Sequence, residues 1–172
     1  KHYLKFRDGT YWIKGGTDSP ENLLGYAGFD NTINQGGGAG TNGLIDGVHR
    51  YEPHLQDWNV GDPNFVSADT GYEGKALIGV VNYLSSQNVN SMYFLPMNLG
   101  GDGRETYPFI SPSGSSFDNT HYDISKLDQW NIVLDHAQRK GVALNIVLAE
   151  TETGNEQWLD NGTLGVERKL YY

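Results

Sequence analysis

The chain has 172 residues, with 12 Lys and Arg against 21 Asp and Glu, a net charge of −9 and no cysteine. That length suffices for one domain with a core of its own. The charge argues against a nucleic-acid partner, and the missing thiols exclude disulfides, thiolate zinc sites and a cysteine nucleophile. No apolar run approaches the ~18 residues that a membrane span needs.

Taken in chain order, Thr10 to Lys14 is rich in strand-favouring residues and Gly15-Gly16 reads as its stop. From Thr17 to about Gly74 the chain is irregular, with Gly36-Gly37-Gly38 and prolines at 20, 53 and 63. A connection of that length inside a compact domain tends to be functional; Arg50 to Trp58 suggests a short helical turn within it. Lys75 to Asn88 is a predicted helix, because Leu77, Val80, Val81 and Leu84 make one apolar stripe. Val89 to Met97 is the next predicted strand, followed by a second long loop from Asn98 to Asp123. Ser125 is the expected N-cap of a second helix, with Asp128 as its capping-box partner. Leu127, Trp130, Leu134 and Ala137 form that helix's expected stripe, and Gly141 its C′ residue. Val142 to Leu148 is apolar nearly throughout, as expected of a parallel strand covered on both faces. Val166 to Tyr172 reads as the start of a third helix.

This β/α alternation predicts parallel strands joined by right-handed helical crossovers. The expected fold class is α/β: about three βα units with long βα loops, the N-terminal portion of a (β/α)8 barrel. An eight-unit barrel takes roughly 250 residues, so the expectation is a single partial domain over residues 1–172. A complete three-stranded α/β sandwich is the competing architecture.

In such folds the chemistry gathers where parallel strands end. Asn98 and Asp102 follow the second strand, in Asn-Leu-Gly-Gly-Asp-Gly, a segment that also serves as a plain turn. Glu150 and Glu152 follow the third, and strand alternation points both to one side; a loop cap or an ion pair with Arg104 or Arg139 is the alternative. Asp18 and Glu21 follow the first, where Asp-Ser-Pro-Glu equally suits a helix start. His121 either lines the same mouth or stabilises its loop. His49, His54 and His121 have no metal-motif spacing and the Asp-rich loops no EF-hand spacing, so neither metal nor cofactor is expected. The loop aromatics Tyr26, Tyr51, Trp58, Tyr72, Tyr107, Tyr122 and Trp158 offer faces for stacking on sugar rings; packing of the loops on themselves is the alternative. The sequon Asn161-Gly-Thr163 has meaning only in a eukaryotic secretory setting.

A family resemblance rests on Trp12-Ile-Lys-Gly-Gly-Thr-Asp-Ser-Pro-Glu-Asn22, His49-Arg-Tyr-Glu-Pro-His54, Tyr93-Phe-Leu-Pro-Met-Asn-Leu-Gly-Gly-Asp-Gly103, His121-Tyr-Asp-Ile-Ser-Lys-Leu-Asp-Gln-Trp130, His136-Ala-Gln-Arg-Lys-Gly141 and Glu167-Arg-Lys-Leu-Tyr-Tyr172. Together they resemble the barrel domain of bacterial, mostly exported, glycoside-hydrolase-like proteins, in which the barrel follows an immunoglobulin-like domain of unknown function. The resemblance spans nearly the whole chain. It implies an extracellular or periplasmic parent protein that hydrolyses polysaccharide with two carboxylates. In similar barrels these lie after the fourth strand and on a later one, and neither segment occurs here. The chain alone is therefore expected to lack activity, its catalytic residues being unknown, while Asp18, Glu21, Asn98, Asp102, His121, Glu150 and Glu152 shape sugar subsites. A noncatalytic carbohydrate-binding protein and a structural or assembly protein are the competing readings. An open half-barrel edge would invite self-association.

Overall fold

The computed structural model describes residues 3–17, 22–34, 47–98, 104–110 and 121–148. The elements in order are β1 (Gly16–Thr17), a 3-10 helix (Glu52–Asp57), α1 (Lys75–Ser86), β2 (Ser91–Phe94), α2 (Ile124–Arg139) and β3 (Ala143–Ile146). The three strands form one parallel sheet in the order β1-β2-β3.

The first strand lies beyond the expected one. Tyr11 instead bridges Lys5 in an antiparallel hairpin that Gly9 turns at φ 92°. β1 begins at Gly16, a residue expected to end a strand. The reason is close approach: a Cβ on Gly16 would fall 2.1 Å from the Ser91 carbonyl oxygen, so only glycine brings β1 against β2 here. Asn90 ties this end of the sheet together. Its Oδ1 accepts from the Gly15 amide at 2.7 Å, its Nδ2 donates to the Ile13 carbonyl at 2.8 Å, and its own carbonyl accepts from the Ala143 amide at 2.8 Å.

The helix α1 forms where its apolar stripe predicts and ends at Ser86. Asn88 then takes a left-handed φ of 59°, and the Val89 amide returns to the Leu84 carbonyl at 3.0 Å. Burial on α1 extends past the stripe to Ala76, Ile78, Gly79 and Asn82, because the 3-10 helix lies across it. A Cβ on Gly79 would sit 1.9 Å from the His54 carbonyl oxygen.

In α2 the N-cap is Asp123 and not Ser125. The Asp123 carboxylate accepts from the Lys126 amide at 3.0 Å, whereas the Ser125 hydroxyl donates to the Asp30 carboxylate. Gly141 ends α2 as expected, at φ 77°. Its amide bonds the Gln138 carbonyl at 3.0 Å and the Val142 amide bonds the Ala137 carbonyl at 2.9 Å, the two bonds of a Schellman closure.

The main core joins Met92 and Phe94 of β2 to Leu77, Val80 and Val81 of α1 and to Trp130, Val133 and Ala137 of α2, with Leu144 packed against it. The sheet register aligns Met92 with Leu144 and Phe94 with Ile146, so the even positions face the helices. Ser91, Tyr93, Ala143 and Asn145 share the opposite face. Both helices therefore cover one side of the sheet, as right-handed crossovers between consecutive neighbours require. β3 departs from the expectation of cover on both faces. Ala143 and Asn145 are exposed because the odd side of this edge strand meets no layer among the described residues, and Ile146, on the helix side, is exposed as well.

The long segment after β1 supplies core instead of solvent-facing loop. Leu23, Leu24, Tyr26, Phe29 and Phe65 are buried in the main cluster, and Phe29 stacks on Phe65 with centroids 5.2 Å apart. Among the described residues no helix is long and apolar enough to cross a membrane.

Candidate functional site

The loops after parallel strands and before their helices meet at the carboxyl end of the sheet. Beyond β2 the chain stays buried through Leu95, Met97 and Asn98, and the Asn98 amide donates to the Thr106 carbonyl at 2.7 Å. That bond folds residues 104–107 back over the end of β2. It places Glu105, only 1% exposed, against the loop that follows β1.

Glycine makes the contact possible. A Cβ on Gly47 would lie 2.1 Å from Glu105 Oε1, and one on Gly25 would lie 3.4 Å from both Glu105 Cβ and Thr106 Oγ1. The Gly25 carbonyl accepts from the His49 amide at 2.7 Å and the Ala27 amide donates to the His49 carbonyl at 2.8 Å, a short parallel bridge that fixes His49. His49 Nε2 is 2.7 Å from Asn22 Oδ1, and Asn22 Nδ2 donates to the Gly47 carbonyl at 3.4 Å. A carboxamide oxygen only accepts, so Nε2 carries a proton and Nδ1 is the free acceptor of the neutral ring. The ring stacks on Tyr51 at 5.0 Å, and Tyr51 stacks on Tyr26 at 5.8 Å.

Burial pushes the His49 pKa below its ordinary value, against the opposing pull of the Glu105 carboxyl. At neutral pH the ring is therefore uncharged, with one donor and one acceptor beside a carboxyl group. With Nε2 committed to Asn22 and Glu105 buried, the group of this set open to a ligand hydroxyl is Nδ1 of half-buried His49, which accepts a hydrogen bond.

A second device clasps the same end of the molecule. Lys126, in the first turn of α2, is fully buried and donates through Nζ to the carbonyls of Asn31 at 3.0 Å and Tyr107 at 3.4 Å. Its Nζ lies 3.8 Å from the centre of the Tyr107 ring. Asn31 also donates through its amide to Asp69 and through Nδ2 to Asp123. The loops after β1 and after β2 are thus pinned to the start of α2. Burial drives the Lys126 pKa down to about 7, although Asp123, Asp30 and Asp69 all pull it up. Asp30 moves downward despite burial, because Ser125, the Ala68 amide and Gln129 surround its carboxyl with hydrogen-bond partners.

Of the residues expected to contact sugar, Asn98 is buried at 1% exposure beneath the fold-back of residues 104–107. His121 is exposed, with its carbonyl accepting from the Ile110 amide at 3.2 Å next to the Phe109–Tyr122 bridge. Asp18, Glu21, Asp102, Glu150 and Glu152 lie outside the described residues, as does Trp158. Among the loop aromatics, Tyr26 and Tyr107 are 2% and 0% exposed. They pack the loops and present no face to a sugar, whereas Tyr72 is exposed. Glu105 and Asn22 were not legible as site residues; the only signal was a glycine, Gly47, near His49. No group of three or more His, Cys, Asp or Glu side chains suited to a metal occurs among the described residues.

An open depression of about 600 Å³ lies elsewhere, against Tyr3, Leu4, Tyr11, Trp12, Ile13 and Lys14. It belongs to the hairpin that precedes β1, at the amino end of the sheet and away from the His49–Glu105 cluster.

Compared with protein-family models, with curated proteins and with solved structures, the chain matches none.

Proposed function

We propose that this chain forms sugar subsites of a glycoside-hydrolase-like (β/α)8 barrel in an exported protein, binding a polysaccharide at the carboxyl end of its parallel sheet. The hydrolytic acid/base and nucleophile come from segments other than these residues. The observation that carries the reading is the Asn22–His49–Glu105 cluster around Gly47, a neutral imidazole beside a carboxyl group where the βα loops converge. Two helices on one face of consecutive parallel strands suit a barrel wall, as they equally suit one βαβαβ half of a doubly wound sheet. The net charge of −9 favours an uncharged polyol over a phosphorylated ligand.

The test is a glycan microarray of neutral plant and microbial polysaccharides, probed with the wild type, His49→Ala and Glu105→Gln. Binding that both substitutions abolish, with circular dichroism unchanged, supports the reading. Absence of any glycan signal, or binding indifferent to both substitutions, refutes it. Release of reducing ends by the chain alone would contradict the assignment of hydrolysis to other segments.

A further inference from the structure

We infer that Arg50 and Tyr72 form a sugar-stacking subsite beside His49, which takes one ring of a neutral β-1,4-linked pyranose chain. This subsite rests on the proposed function and supplies the groups that hold the ligand besides the imidazole. His49 offers a hydroxyl only the acceptor Nδ1, because Nε2 is spent on Asn22. A single acceptor does not hold a sugar. Donors and apolar surface have to come from its neighbours.

Arg50 follows His49 directly and is exposed, and its guanidinium makes no ion pair or hydrogen bond among the described residues. In a chain with 21 Asp and Glu, a guanidinium without a carboxylate partner keeps its N–H donors for a ligand. Its Cζ lies 5.9 Å from the centre of the Tyr72 ring, a cation–π contact that braces the ring. Tyr72 is 44% exposed, and no other ring or cation stacks on it among the described residues.

The backbone fixes this ring in place. The Ser67 amide donates to the Tyr72 carbonyl at 2.9 Å, the Gly71 amide donates to the Ser67 carbonyl at 3.0 Å, and Gly71 turns at φ 69°. Val66 bridges Glu73, whose carbonyl accepts from the Tyr26 hydroxyl at 2.6 Å. Tyr26 stacks on Tyr51 and Tyr51 on His49, so one row of rings ties the Tyr72 turn to the imidazole. Shortly after Tyr72 comes α1, which starts at the carboxyl end of the parallel strands it connects. That is the end where His49 and Glu105 meet.

An aromatic face is negatively polarised and attracts weakly positive C–H groups. A pyranose presents such a flat C–H face where its hydroxyls are equatorial. Linkage from one equatorial position to another draws the chain into a ribbon, so neighbouring rings reach separate subsites. One ring lies on Tyr72, Arg50 donates to hydroxyls at its edge, and a hydroxyl of an adjoining ring donates to Nδ1 of His49.

The experiment is titration calorimetry of cellohexaose, xylohexaose and β-1,4-mannohexaose into the wild type, Tyr72→Ala, Tyr72→Trp, Arg50→Ala and His49→Ala, with circular dichroism of each as the check on folding. The wild type is expected to bind at least one of the three. Tyr72→Ala is expected to weaken that binding about tenfold or more, and Arg50→Ala to weaken it several-fold. Tyr72→Trp keeps an aromatic face and is expected to restore binding to within about threefold of the wild type, a rescue that a merely structural tyrosine would not show. Binding that His49→Ala abolishes while Tyr72→Ala and Arg50→Ala leave it intact overturns the subsite alone, and the proposed function stands. A loss in Tyr72→Ala that tryptophan does not restore overturns it as well. So does a wild type that binds none of the three hexasaccharides, and the glycan array then decides the proposed function separately.

Discussion

Lys126 makes stability depend on pH in a way that no exposed lysine does. Its folded-state pKa of about 7 lies below the ordinary value of 10.5. Between those two values the unfolded chain holds a proton that the folded chain lacks, so stability rises with pH across the window and falls as pH drops through it. Below about 7 both states are protonated and the effect saturates. With an unfolded value of 10.5, raising the pH from 7 to 9 adds about 2 kcal/mol from this one group. The perturbation is Lys126→Met, which keeps the length of the side chain and removes the titration. Urea unfolding of both proteins at pH 7, 8 and 9 gives the assay, because other titrating groups cancel in the difference between them. The wild type should gain about 2 kcal/mol relative to the variant over that range. Two stability curves that run parallel in pH would show that the three carboxylates hold the ammonium charged, and the reasoning from burial would fail.

Other substitutions test the packing around the rim. Gly79→Ala should destabilise by about 1–3 kcal/mol, read by urea midpoint, because the collision with the His54 carbonyl outweighs a gain of roughly 1 kcal/mol in helix propensity. Phe29→Ala should cost about 3–5 kcal/mol on the same assay, since the ring contacts Tyr26, Phe65 and Trp130 in the core. Asn82→Ala should cost roughly 1–3 kcal/mol, because it strips Asp57 and Asp62 of a donor and His136 of a partner. Thr106→Val should raise the thermal midpoint, since it removes a buried hydroxyl that has no hydrogen-bond partner among the described residues.

What the sequence revealed depended on whether a signal was apolar and periodic. The α1 stripe, the α2 segment and the Gly141 closure were legible because 3.6-residue periodicity and a left-handed glycine have few other causes. The start of β1 was not legible, since a glycine needed for contact with Ser91 looks like a strand breaker. The buried face of α2 was legible in part, since Trp130 and Ala137 lie in the core and Leu127 and Leu134 pack against it, but the face is wider than that stripe. Lys126, Gln129 and His136 occupy buried positions beside Trp130 and Val133, and their polarity concealed that width. In the candidate site the Glu105–His49 approach joins two loops distant in sequence. Its only local trace is the glycine at 47, which nothing distinguishes from the many turn glycines nearby. Asn98 and His121 were reached through their place after or beside a strand, and that place says nothing of burial, which separates the two.

Amide chemical shifts during titration with a neutral oligosaccharide locate binding most directly. The proposed function predicts saturable shifts at Gly47, His49, Thr106 and His121, with Leu4 and Trp12 of the hairpin unmoved. Shifts confined to the hairpin, or no shifts with any neutral sugar, would contradict a binding site at the carboxyl end of the sheet.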